Sequence, residues 1–101
     1  MAYQHLSVEQ FEQLIQDNQS VNVVDIRDQQ SYALSQIKGA FNLNQSNLEQ
    51  HISQLKADEP LVVCCYHGHS SQGAAQFLFD RGFKEVYSLD GGFEAYQAFH
   101  R

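Results

Sequence analysis

Leu61-Val62-Val63-Cys64 runs straight into Cys65-Tyr66-His67-Gly68-His69-Ser70-Ser71, and a helical pattern follows from about Ser71 to Arg81. This stretch constrains the fold more than any other. A short apolar run bounded by a Gly-containing turn reads as a buried strand. Strand, tight turn and helix together present a side chain at the carboxyl edge of an α/β sheet. The helix N-terminus there offers unpaired N–H groups and the positive end of its dipole, which favours an anion. A cysteine so placed has its pKa lowered. Cys65 is therefore the candidate nucleophile, a thiolate in an anion cradle. The amides from Tyr66 through Ser71 are the candidate donors, with the Ser70 and Ser71 hydroxyls. Gly68 lets the loop curl without a Cβ clash.

The flanking sequence supplies the rest of such a sheet. Ser7-Val8-Glu9-Gln10 reads as a capping box, with Val8, Phe11, Leu14 and Ile15 on one helical face. A polar break at 17–20 precedes the strand Val21–Ile26, which carries Asp25 and leads to Arg27 at the carboxyl edge. A short helix over 28–36 has Tyr32, Leu34 and Ile37 as anchors, and Gly39–Leu43 turns into a brief strand. Ser46-Asn47-Leu48-Glu49 reads as a second capping box, and Pro60 opens the central strand. After the loop, Ala74, Ala75, Phe77 and Leu78 form a packing face, and Gly82 suits the helix C′ position. Glu85–Leu89 is a last strand, and Asp90-Gly91-Gly92 leads to a helix with Phe93, Tyr96 and Phe99. Strands alternating with helices predict a mostly parallel sheet covered on both faces.

Four segments are similar, in order, to the rhodanese family: Val24–Arg27, Ile37–Leu43, the loop Cys65–Ser71, and Val86–Phe93. The loop and Gly73-Ala74-Ala75 most resemble its small single-domain bacterial members. Ser35-Gln36 stands where the family often has Gly-His, Lys38 where it has proline, and Tyr96 where it has tryptophan. The resemblance implies an α/β three-layer fold with about five strands, and residues 1–101 as a single rhodanese domain. It also implies a persulfide on Cys65, with thiosulfate as donor. Cyanide, a dithiol or a small thiol redox protein would be the acceptor. Such an exchange requires neither metal nor organic cofactor and runs in two covalent half-reactions.

Other chemistries are weaker fits. Cys64, within the strand, reads as a buried hydrophobe, because alternation points it away from the cradle. Cys64, Cys65, His67 and His69 crowd into six residues without the separated ligand pairs of structural zinc sites, so no metal site is expected. A cysteine-dependent phosphatase or arsenate reductase needs an arginine to hold its oxyanion, yet no Arg or Lys lies between Lys56 and Arg81. A noncatalytic rhodanese-like interaction module has no need of the cysteine. Twelve acids against six bases, net −6, argue against nucleic-acid and membrane-surface binding. The chain has no apolar run of membrane-spanning length and no signal-peptide pattern. Two adjacent free thiols fit a reducing compartment, the cytoplasm.

Overall fold

The computed structural model describes residues 2–18 and 20–101. Gln19, in the polar break, lies outside them. The elements run β1 (Gln4–Leu6), α1 (Val8–Asp17), β2 (Asn22–Asp25), α2 (Gln29–Leu34), β3 (Phe41–Asn42), α3 (Leu48–Ile52), β4 (Leu61–Cys64), α4 (Ser70–Asp80), β5 (Val86–Leu89) and α5 (Gly92–Phe99). The five strands form one sheet in the order β1-β5-β4-β2-β3. Every pairing is parallel, so all strands deliver their carboxyl ends, and the loops that follow, to one edge.

Alternation along the strands builds two cores. Val23, Val62, Cys64 and Leu89 pack with Val8, Phe11 and Phe93, under α1 and α5. Val24, Leu61, Val63 and Val86 pack with Ile52, Ala75 and Leu78, under α3 and α4. All four residues of β4 are buried, as its unbroken apolar run requires. Phe11 is fully buried; truncating it to alanine is expected to cost about 3–5 kcal/mol. No helix among the described residues is long and apolar enough to cross a membrane.

The first helix begins with the capping box read from its sequence: Gln10 N donates to Ser7 Oγ, and Ser7 N to Gln10 Oε1. Gly82 at φ 108° ends α4 in a Schellman turn, with Gly82 N bonded to Phe79 O and Phe83 N to Leu78 O. Other readings need correction. β1 precedes the first helix and was not legible, since Gln4-His5-Leu6 lacks a β-branched run and only Leu6 is buried. Ser46 does not cap α3; its hydroxyl donates to Asn44 Oδ1, and Asn47 occupies the cap position with no side-chain bond to the helix amides. Leu34 is 89% exposed and anchors nothing. Ile15 and Phe77 are likewise exposed rather than packed. Phe77 lines an open groove with Ile26, Leu43, Leu48 and Ala74.

Candidate active site

Cys65 is the first residue past the end of β4 and Ser70 the first of α4, so the loop between them lies at the carboxyl edge of the sheet. Three polar groups converge on its sulfur. Gly68 N is 3.1 Å from Cys65 Sγ, Ser71 N 3.3 Å and Ser71 Oγ 3.2 Å. Burial pushes the Cys65 thiol up. The Ser71 hydroxyl and the amides of Ser71, Gly68 and His67 pull it down, and together they prevail, leaving the pKa below the ordinary thiol value.

Three carbonyls of the loop are engaged by neighbouring groups. Phe93 N donates to Cys65 O at 2.7 Å, and Glu94 N to Tyr66 O at 3.1 Å. These are two unpaired amides of the first turn of α5, satisfied by the loop. In a trans peptide the N–H opposes the C=O. Fixing Tyr66 O toward α5 therefore turns the His67 amide the other way. Gln72 Nε2 holds Gly68 O in the same manner, at 2.9 Å. The approach of α5 is possible because residue 92 is glycine: a Cβ there would lie 2.5 Å from Cys65 O and 2.6 Å from Tyr66 C. Gly68, at φ 91°, would put a Cβ 2.7 Å from Gly91 N.

The remaining residues fall around this cradle. Tyr66 Oη accepts from Asp28 N at 3.3 Å and lies 3.2 Å from Ser31 Oγ, tying the loop to the start of α2. His67 is exposed at 3.2 Å from Glu94. His69 and Ser70 are exposed as well, and the hydroxyl that reaches the sulfur is that of Ser71, which is fully buried. Among the described residues no three His, Cys, Asp or Glu side chains converge as a metal site. Cys64 points into the opposite core, as alternation requires, and its thiol is pushed up to about 12, chiefly by burial and by Asp25. Asp25 and Arg27 form a buried ion pair at 2.7 Å. The guanidinium also donates to Ser35 O and lies 4.0 Å above the Phe93 ring. That cation supports the floor of the site and is not free for a substrate.

Sequence reading missed the grip of α5 on the loop carbonyls. Its signal was the pair Gly91-Gly92 before an aromatic helix, where a turn needs one positive φ and this chain has two, 73° and 60°. It also missed Ser88, a fully buried hydroxyl 2.7 Å from Ser71 Oγ. A lone serine inside Val86-Tyr87-Ser88-Leu89 was the available hint.

Comparison with known proteins agrees with this fold. The model of the rhodanese-like domain matches residues 7–99. The chain belongs to the rhodanese family. A thiosulfate sulfurtransferase GlpE from Shewanella oneidensis is 55% identical over 95 residues, covering 94% of this chain and 93% of that one. A rhodanese-like domain protein from Staphylococcus aureus has the same fold, with a TM-score of 0.79 at 17% identity, covering 92% of this chain and 90% of that one. A Rhodopseudomonas palustris protein of unknown function, described as a possible tyrosine phosphatase, superposes with a TM-score of 0.81 at 28% identity over 97% of this chain and 82% of its own.

Proposed function

We propose that this rhodanese is a thiosulfate sulfurtransferase, that residues 1–101 act as one domain, and that Cys65 carries the sulfur. The convergence of Gly68 N, Ser71 N and Ser71 Oγ on Cys65 Sγ carries the reading. In the first half-reaction the thiolate attacks the sulfane sulfur of thiosulfate. The new S–S bond forms as the bond to the sulfonate breaks, and that electron pair leaves with sulfite. The enzyme holds Cys65–S–S⁻, whose terminal anion meets the inward amides of the loop. In the second, cyanide or a cellular thiolate attacks the terminal sulfur, and the S–S pair returns to Cys65 as thiolate. With cyanide the product is thiocyanate. A dithiol or a small thiol redox protein is the acceptor this chemistry suits in a reducing cytoplasm.

The Shewanella relative's name supports the same donor. Cys65 is only 3% exposed. Such an opening favours a donor whose reacting atom is terminal and unbranched, as a sulfane sulfur is. A phosphoryl group needs three oxygens held at once, and the loop has no Arg or Lys to hold them. The test is sulfite and thiocyanate release from thiosulfate plus cyanide, beside phosphate release from an aryl phosphate. Sulfite with ping-pong kinetics is expected. Phosphate release without sulfite would overturn the reading.

A further inference from the structure

Ser88 is wholly buried in β5. Its Oγ is 2.7 Å from Ser71 Oγ, which is itself 3.2 Å from Cys65 Sγ. Among the described residues Ser71 is the only hydrogen-bond partner of that hydroxyl. Each serine has one proton to donate. If Ser71 donates to Ser88, the Ser88 proton is left without an acceptor in a dry core, a costly arrangement. If Ser88 donates to Ser71, the Ser71 proton is directed at the sulfur and both donors are satisfied. The second order is the one a sulfur anion completes.

We propose that Ser88 is a positioning residue: its hydroxyl donates to Ser71 Oγ and thereby aims the Ser71 proton at Cys65 Sγ whenever that sulfur carries charge. Cys65 Sγ is anionic twice in the cycle, as attacking thiolate and as the leaving group when the acceptor takes the terminal sulfur. The relay therefore serves both half-reactions; this catalytic consequence rests on the sulfur-transfer reading, whereas the effect on ionisation does not. The elements around the loop carry Asp25 at the end of β2 and Arg27 after it, Asp28 at the cap of α2, Cys64 in β4, Tyr66, His67 and His69 in the loop, Asp80 in α4, Tyr87 in β5, Asp90 before α5, and Glu94 and Tyr96 within it. The groups that pull the Cys65 pKa down are hydrogen-bond donors rather than charges.

The test measures iodoacetamide alkylation of Cys65 against pH in the unaltered protein, Ser88→Ala, Ser71→Ala and the double variant, with sulfite release in parallel. Ser88→Ala is expected to shift the profile upward and to slow alkylation below its midpoint about three- to tenfold, the worth of one hydrogen bond. Ser71→Ala should do at least as much, and the double variant no more than Ser71→Ala, because Ser88 acts through Ser71. Ser88→Thr keeps the hydroxyl and should titrate as the unaltered protein. An unshifted Ser88→Ala profile, additive effects, or a threonine variant that titrates with the alanine one would each overturn the relay. A protein that alkylates at low pH but releases no sulfite would overturn the proposed function and leave the relay standing.

Discussion

At the scale of the residue, Cys64 and Cys65 carry the same side chain and differ only in what surrounds it. Cys64 is raised to about 12, by burial first and then by Asp25 and Cys65, with Arg27 opposing. Cys65 is lowered because its burial is outweighed by the Ser71 hydroxyl and the amides of Ser71, Gly68 and His67. At pH 8 iodoacetamide should label Cys65 alone, and Cys64 only after unfolding; mass mapping of alkylated peptides checks this. Thiosulfate should add one sulfur to Cys65, and Cys65→Ser should accept none, since a hydroxyl at its ordinary pKa does not replace the thiolate. Cys64→Ser should keep the persulfide while losing about 1 kcal/mol of stability. Cys64 has a folded pKa above its unfolded value, so its contribution is complete below the unfolded value and declines as pH rises toward 12. Cys64→Ala should therefore lose less stability than the unaltered protein between about pH 9 and pH 11. Some alkaline slope should remain, because Tyr87 is raised to about 12 as well.

At the scale of the element, the site is a loop clamped between two helix starts. α4 supplies Ser71 from its first turn, and α5 supplies the amides of Phe93 and Glu94 to the loop's carbonyls. Gly92→Ala forces a Cβ to within 2.5 Å of Cys65 O, between two backbones that have no flexible end to yield. It is expected to lower kcat at least tenfold, and to cost about 1–3 kcal/mol for the αL conformation and the displaced helix. Steady-state sulfite release and denaturant unfolding measure the two effects separately. Gly68→Val meets Gly91 N at 2.7 Å and should act on the same contact from the loop side. The clamp explains what sequence pattern does and does not reveal. β4 and the loop were legible because a buried strand, a turn glycine and an N-terminal serine each leave a local mark. β1 leaves none: Gln4 and His5 are polar and exposed, and the strand exists because β5 offers it a parallel edge. Ser46 carried the right local signal for a cap, yet the Asn44–Asn47 turn engages its hydroxyl first. Ser88 reads as a strand residue until α4 brings Ser71 to it. Tertiary approach, rather than propensity, decided each of these.

At the scale of the whole molecule, the Cys65 loop has no Arg or Lys of its own. Arg27 reaches the loop but is paired with Asp25 beneath it, and the chain carries a net charge of −6. Thiosulfate is a dianion. In the proposed reaction it approaches a protein of like sign, and the donors the loop offers it are short-range dipoles, its amides and the Ser71 hydroxyl. Those donors act within hydrogen-bond distance, where salt has little effect, whereas the repulsion acts over a Debye length of about 10 Å at 0.1 M salt. Added salt therefore screens the unfavourable part and leaves the favourable part in place. Between about 10 and 300 mM of an inert salt, kcat/KM for thiosulfate is expected to rise by about two- to fivefold, with kcat nearly constant. The opposite dependence, a kcat/KM that falls steeply with salt, is the mark of a site that steers its anion with lysine or arginine. Finding it here would mean that cations elsewhere on the surface guide the substrate, and that the backbone cradle is not the main source of affinity.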